Sequence, residues 1–267
     1  MEKGQIESIV ATKSDVLRIQ LYIHAQFPRG KDVVESLLDA FEVSPRLVPT
    51  GWGKSEQVSF DYKRNEVLSN IGRDPKQPVV LFLSRSLVVK YSGYSDLGKL
   101  SFISFEFDKS TAVKDWPEIL SLADRVAAAA KARFGILHIF RPTVVPWVTE
   151  KDRLLRWINF CAQPTPVRFR PCGPLGLGMR TYFGYDILDM FGRSLLLKTP
   201  AIVRDLDSHG ICIDLTTDLW NLGPDALLES WQKAMNHLEP AHTFAEPVFD
   251  EDCRTINFEP SPAWRKR

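Results

Sequence analysis

Apolar and polar residues alternate near the start of the chain, where residues 17–27 carry an apolar side chain at every second position. This period of two predicts a β-strand with one buried face. After a break at residues 28–30, apolar residues recur every three or four positions over residues 31–41, which predicts an amphipathic helix. The chain therefore begins as strand, turn and helix.

Further strands are predicted where β-branched and aromatic residues accumulate, over residues 79–84, 86–92 and 99–107. We expect these segments to be neighbouring antiparallel strands, with a hairpin turn over residues 92–98. Residues 47–72 have no clear period, and we expect an ordered loop there followed by a short helix.

A long helix is predicted to start after Asp115 as its N-cap residue and to end at Gly135. A short strand should follow over residues 136–140. Two prolines, Pro142 and Pro146, then resist both helix and central strand, so we place a boundary here between residues 1–145 and 146–267.

The second half repeats strand and helix signals without a regular βαβ rhythm. The predicted elements are a helix opened by Thr149 and Asp152, a short helix over residues 185–191, a strand over residues 210–215 and a final helix from Pro224. We therefore predict an α+β fold, a mainly antiparallel sheet with packed helices. It forms either two α+β halves or one continuous domain.

Overall composition excludes several classes of protein. The chain has 267 residues, 44% of them hydrophobic, and a formal net charge of +1, so the whole molecule is not a basic nucleic-acid binder. No apolar run approaches the ~18 residues of a membrane span, and the first residues do not look like a signal peptide, so we expect a cytoplasmic protein. The four cysteines form no C-x-x-C pair, so we expect neither a disulfide framework nor a bound metal or cofactor.

No short catalytic motif is recognisable. Gly173, Gly176 and Gly178 lack the spacing of a phosphate loop. Cys212 with His209 would be an unusual dyad, because Cys212 lies inside a predicted strand. The carboxylates between Asp205 and Asp218 leave a carboxylate-dependent hydrolase open as an alternative. We expect a binding protein rather than an enzyme, with no catalytic residue assigned.

Acidic residues are concentrated near the C-terminal end. Residues 201–260 hold twelve acids and three bases, a formal charge of −9, whereas residues 141–200 hold four acids and nine bases, a formal charge of +5. Such segregation predicts an acidic surface that attracts a basic partner, although ordinary solvated helix faces would explain it equally well. The candidate binding residues are Asp205, Asp207, Asp218, Glu246, Asp250, Glu251 and Asp252.

Two boxes in the sequence resemble a known family. The segment PTGWGKSE at residues 49–56, followed by FDY at residues 60–62, is similar to the Trp-Gly-x-Ser-Glu box of the immunity protein 52 family of bacterial polymorphic toxin systems, including type VI secretion. MRTYFG at residues 179–184, DMFG at residues 189–192 and DLW at residues 218–220 extend the resemblance. The family-motif residues are Trp52, Gly53, Ser55, Glu56 and Asp61.

The resemblance implies a cytoplasmic antidote without catalytic activity. It would bind and neutralise a cognate toxin that has a restriction-endonuclease-like nuclease domain, with no direct contact to nucleic acid or membrane. An adaptor or chaperone for a secreted effector is a further alternative. We expect Trp52 to be a structural plug, because two flanking glycines suit a tight turn that lets the ring fold inward.

Overall fold

A ten-stranded antiparallel sheet with helices on both faces forms the body of the protein. The computed structural model describes residues 16, 18–25, 31–71, 80–96, 102–163, 173–206, 210–219 and 223–266. The predicted α+β class is confirmed. The sheet continues across residues 145 and 146, because the strand that ends at Phe140 pairs with the strand that begins at Arg180.

The strands and helices are numbered here in chain order within the described residues. The strands are β1 (Arg18–Ala25), β2 (Gly51–Ser55), β3 (Val58–Asp61), β4 (Val80–Arg85), β5 (Tyr91–Asp96), β6 (Phe102–Phe107), β7 (Ala132–Phe140), β8 (Arg180–Phe183), β9 (Ile202–Asp205), β10 (Ile211–Asp214), β11 (Glu246–Phe249) and β12 (Ile256–Glu259). The helices are α1 (Lys31–Glu42), α2 (Arg64–Asn70), α3 (Trp116–Ala129), α4 (Glu150–Cys161), α5 (Tyr185–Phe191), α6 (Arg193–Leu197), α7 (Pro224–Leu238) and α8 (Pro262–Arg265).

The strand order is β3-β2-β4-β5-β6-β1-β7-β8-β10-β9, so the first strand of the chain lies in the middle of the sheet. It pairs with β6 on one side and with β7 on the other. The strands β11 and β12 form a separate hairpin outside this sheet.

Alternating side chains of β1 divide the sheet into two faces, as the period of two predicts. The first face carries Ile19, Leu21 and Ile23. Helices α1 and α3 cover it: Phe41 of α1 stacks 4.9 Å from the ring of Phe105, and Ile119 of α3 lines an apolar cavity with Ile19.

The second face is covered by α4 and α5 around β7. Asn159 of α4 lies 3.3 Å from the ring of His138. Phe191 of α5 contacts Phe183 edge to face, and Phe183 contacts Phe134 in the same way. Strand β7 is consequently buried on both faces.

Several predicted elements are confirmed. The first strand and the first helix appear as β1 and α1, and the short helix before Gly192 appears as α5. The predicted capping box at Thr149 is present: its hydroxyl accepts from the Asp152 amide while the Asp152 carboxylate accepts from the Thr149 amide. The strand and the helix predicted after residue 209 appear as β10 and α7.

The prediction was wrong in two turn regions. Residues 47–72 were expected to start as a loop, but they contain the hairpin β2–β3, and Trp52 lies in an extended strand rather than in a glycine turn. Its ring is 3% exposed because strand alternation places it beside Leu83 of β4. Residues 86–90 were expected as strand, but they form the β4–β5 turn, with Val88 at φ 36°. The turn was expected over residues 92–98, but residues 92–96 belong to strand β5.

The expected end of the long helix was also wrong. Helix α3 ends at Ala129, and Lys131 takes the left-handed conformation, φ 47°, that a glycine usually supplies. Gly135 instead lies inside β7, where a Cβ atom would come within 3.0 Å of Ile23. Asp115 precedes the helix without a side-chain capping bond, and its carboxylate accepts from Arg46 at 2.5 Å.

His138 is a buried histidine that links β7 to its neighbours on the second face. Its Nδ1 accepts from the Met179 amide at 3.3 Å, so Nε2 carries the proton and donates to the Asn159 side chain. Burial disfavours the charged imidazolium and lowers the pKa of His138 to about 3.

We predict that His138 makes stability depend on pH. An unfolded histidine titrates near its ordinary pKa of 6.5, whereas folded His138 stays neutral down to about pH 3, so unfolding takes up a proton between these values. The free energy of unfolding should therefore fall as pH drops through this window, by up to about 1.4 kcal/mol per pH unit.

Urea unfolding of His138→Gln and wild type at several pH values between about 5 and 7 checks this sign. The variant should show a shallower pH dependence, whatever its absolute stability. Asn236→Gln, an exposed change that removes no titratable group, serves as the control and should keep the wild-type slope. Equal slopes for His138→Gln and wild type would contradict the prediction.

Candidate functional site

The β11–β12 hairpin gathers the densest group of the predicted acidic residues. Glu246 and Glu259 face each other across the hairpin, and Arg265 reaches both carboxylates at 3.3 and 3.4 Å. The turn between the strands carries Asp250, Glu251 and Asp252, which we call the acidic turn. These positions are therefore close in space as well as in sequence.

Asp250 builds the acidic turn rather than offering a free charge. Its carboxylate accepts from the Arg254 amide at 2.7 Å, the Thr255 amide at 3.0 Å and the Thr255 hydroxyl at 2.6 Å. These hydrogen bonds, with the Thr255 hydroxyl first, lower the pKa of Asp250 and keep it ionised. Cys253 completes the turn in the left-handed conformation, φ 53°.

Glu251 and Asp252 are the free charges of the acidic turn. Both are exposed, and neither forms an ion pair with any residue that the structure describes. Because Asp250 fixes the backbone, these two carboxylates are held at the tip of an ordered turn. They can meet a basic partner without first breaking an internal salt bridge.

Aromatic packing anchors the hairpin to helix α4. The Phe249 ring lies 5.7 Å from Trp157 and 6.1 Å from Trp147, edge to face in both cases, and the Arg153 guanidinium lies 4.8 Å above it. The Trp147 amide also donates to the Cys253 carbonyl at 3.0 Å. The loop before α4 and the acidic turn are thus joined.

The remaining predicted acidic residues lie elsewhere. Asp205 ends the edge strand β9 and forms an ion pair with Arg193, and Asp218 follows β10 in a half-buried position. Asp207 lies outside the described residues, as does His209.

The family-motif residues lie on the hairpin β2–β3, at the edge of the sheet opposite to β9. Trp52 and Gly53 are buried in β2, and Ser55 and Glu56 are exposed at the β2–β3 turn. Asp61 is exposed at the other end of the hairpin, where it ends β3 and pairs with Gly51.

A buried ionic network, which the sequence did not predict, lies between α3 and the strands β8, β10 and β9. Arg180 makes two 2.6 Å bonds to the Asp214 carboxylate, and its remaining guanidinium nitrogen reaches Asp124 at 3.1 Å. Asp124 also accepts from Tyr182 at 2.6 Å and from Arg204 at 2.9 Å. We call these five residues the Arg180 network.

The Arg180 network is arranged for structure. Arg180 and Asp214 are 7% and 9% exposed, and Arg180 also donates to the Leu120 carbonyl at 3.0 Å, so the network ties α3 to the sheet. Burial opposes the charge of Arg180, but the hydrogen bonds that the guanidinium donates to Asp214 outweigh this effect and raise the pKa of Arg180. Arg180 and Tyr182 belong to the MRTYFG box, so this part of the family resemblance lies in the core.

The chemistry of the predicted Cys and Asp candidates is restricted by their positions. Burial, with Asp214 nearby, raises the pKa of Cys212 to about 12, so its thiol is protonated. Asp205 pairs with Ile211 of β10, so the two side chains share one face of the sheet. Asp214 lies three residues after Ile211 on the same strand, and an odd spacing places it on the opposite face. These two carboxylates cannot act as one catalytic pair.

Within the described part of the chain, no three His, Cys, Asp or Glu side chains are grouped as a metal site would require. No helix in the same part of the chain is both long and apolar enough to span a membrane.

Comparisons with known proteins identify no family. No family model matches the chain, and no curated protein matches it. Among solved structures, the T6SS protein PA0821 of Pseudomonas aeruginosa is similar, with 14% sequence identity and a TM-score of 0.49 over 84% of this chain and 83% of that chain. A likeness this distant carries no information about activity, and membership of the immunity protein 52 family stays a prediction.

We predict that Asp214→Ala destabilises the protein by about 3–5 kcal/mol, because it leaves Arg180 buried without its bidentate partner. Asp225→Ala is the control, since Asp225 forms an exposed ion pair with Lys151 and should cost less than about 1 kcal/mol. Urea unfolding monitored by tryptophan fluorescence measures both changes. Wild-type stability in Asp214→Ala would show that the network does not hold the fold.

Proposed function

We propose that this chain is an immunity protein of a bacterial type VI secretion or related polymorphic toxin system. In the cytoplasm, it would bind and neutralise a cognate secreted toxin that has a restriction-endonuclease-like nuclease domain. The observation that carries this proposal is the acidic turn, where Glu251 and Asp252 are exposed on a turn that Asp250 holds in place. The resemblance of the WGKSE and MRTYFG boxes to the immunity protein 52 family supports the same function.

The chemistry of nucleases explains why an acidic turn would suit this role. A nuclease must bind the phosphate backbone, so its cleft carries lysine and arginine side chains. An ordered acidic protrusion is complementary to such a cleft, and complementary charges accelerate encounter and orient the partners. The overall charge of +1 is compatible with a confined acidic surface and not with mimicry of DNA by the whole molecule.

The hydrolase alternative finds no support in the described residues. Asp205 and Asp214 lie on opposite faces of the sheet, and Asp214 is fully engaged by Arg180. The adaptor alternative differs from an immunity protein only in leaving the toxin active. It is therefore distinguished by an activity measurement rather than by binding.

Co-expression with the toxin encoded by the neighbouring gene tests the proposal. Cells that produce both proteins should survive with intact chromosomal DNA, and cells that produce the toxin alone should not. A purified complex in which the nuclease still cleaves DNA would favour the adaptor. Death of the co-expressing cells would contradict an immunity function.

We predict that Glu251→Lys with Asp252→Lys slows association with the toxin by about tenfold at low ionic strength, because it reverses the charge that steers the encounter. The difference should shrink at high salt, since salt screens exposed charges. Stopped-flow or surface-based binding kinetics at low and high salt provide the measurement. Asp250 is left unchanged, since its loss would disorder the turn itself.

The matched control is Glu56→Lys with Asp61→Lys, which makes the same change in charge at the β2–β3 hairpin. Strand β3 is six strands from β7 in the sheet, about 29 Å at the usual strand spacing. We expect this control to keep wild-type association rates. A loss of binding in the control alone would move the interface to the family-motif residues and away from the acidic turn.

A further inference from the structure

We propose that Val144, Val145 and Val148 form a single docking surface with the acidic turn, and that this surface receives an apolar pocket of the toxin bordered by lysine or arginine. We call the three residues the valine loop. This inference rests on the proposed function and specifies where and how the toxin binds.

The valine loop is an exposed apolar patch whose side chains are not packed in the core. Val144, Val145 and Val148 are 53%, 44% and 82% exposed, although three apolar side chains within five residues would normally be buried. A single exposed valine is ordinary, whereas a cluster of them marks a surface for another molecule.

The backbone around the valine loop is anchored at four places. The Arg141 carbonyl accepts from Asn159 at 2.8 Å, and the Thr143 hydroxyl accepts from Arg156 at 3.3 Å. Next, the Trp147 amide donates to the carbonyl of Cys253, the residue after the acidic turn, at 3.0 Å, and Thr149 caps helix α4. These polar contacts hold the backbone on both sides of the valines, while the valine side chains themselves stay exposed.

The hydrogen bond between Trp147 and Cys253 makes the valine loop and the acidic turn neighbours. Trp147 lies between Val145 and Val148, and Cys253 directly follows Asp252. The free carboxylates of Glu251 and Asp252 therefore stand at the border of the apolar patch. An apolar centre with a charged border is the usual anatomy of a protein–protein interface.

Charge favours this patch over the pair of exposed apolar residues at the β4–β5 turn. Leu87 and Val88 are 55% and 64% exposed at the β4–β5 turn, but they lie between Arg85 and Lys90. A basic border would repel the basic cleft of a nuclease, whereas the acidic border of the valine loop attracts it. The valine loop is therefore the surface at which we expect the toxin to bind.

The two parts of the surface should contribute to different rate constants. Exposed charges act mainly during diffusional encounter, and buried apolar contacts act mainly on dissociation. Val144→Ser with Val148→Ser should raise the dissociation rate of the toxin complex by at least about tenfold, with the association rate nearly unchanged. Protection of co-expressing cells should weaken accordingly.

Binding kinetics against a catalytically inactive form of the neighbouring toxin test the inference, with thermal unfolding to verify the fold of each variant. The matched control is Val43→Ser with Val113→Ser, two valines of similar exposure, 65% and 50%, that should leave the dissociation rate at the wild-type value. An unchanged dissociation rate in the valine-loop variant would overturn the docking surface. If the wild-type protein does not bind the toxin at all, both the docking surface and the proposed function are overturned.

Val148 also permits a test of the chemistry of the partner. Val148→Lys and Val148→Glu remove the same apolar contact at the most exposed position of the loop but differ in charge. With a basic border on the toxin, the lysine variant should bind more weakly than the glutamate variant, and the gap should narrow with added salt. Equal affinities, or a weaker glutamate variant, would refute the basic border.

Discussion

Eight of the nine residues of β7 are buried, so this strand has no solvent-facing side and requires helices above and below it. The requirement explains why α3 closes over one face and α4 and α5 over the other. It also explains how segments from both ends of the chain come together, because β7 pairs with β1 from the N-terminal part and with β8 from the C-terminal part. The segment between β7 and α4 starts at the end of this strand, so the position of β7 determines where the valine loop lies.

Two kinds of charge are separated in the molecule. In the Arg180 network, each carboxylate has a guanidinium partner, as a buried charge requires. In the acidic turn, Asp250 is saturated by hydrogen bonds while Glu251 and Asp252 face solvent. The net charge of −9 over residues 201–260 therefore mixes structural and exposed acids. Asp214 belongs to the first group, and only the acids without partners can serve recognition.

Sequence reasoning predicted elements that have a strong local period or a complete cap. β1 alternates along its whole length, and α4 begins with a capping box, so both follow from residue order alone. The β4–β5 turn was missed because Leu87, Val88 and Val89 have strand propensity, yet the structure bends there with Val88 at positive φ. The short strands β8 and β9 carry too few residues to display a period. Their existence depends on pairing partners distant in sequence.

The candidate site was predictable only where it depends on residues that are close together in the sequence. The acidic turn could be recognised as a run of three carboxylates, but the role of Asp250 depends on a turn that only the hairpin creates. The Arg180 network joins residues more than fifty positions apart, so no local spacing reveals it. The valine loop did leave a signal, since Val144 and Val145 lie between two prolines and Val148 follows the second, which is an unusual place for apolar residues in an exposed connection.

The hydrogen bond from Trp147 to Cys253 joins segments more than one hundred residues apart in the chain. Together with the edge-to-face contact of Trp147 with Phe249, it fixes both segments before any partner arrives. A surface that is already ordered loses little conformational entropy when it is covered, so more of the contact free energy remains as affinity. Recognition at this place would resemble the meeting of two rigid bodies, with side chains adjusting and the backbone staying where the fold put it.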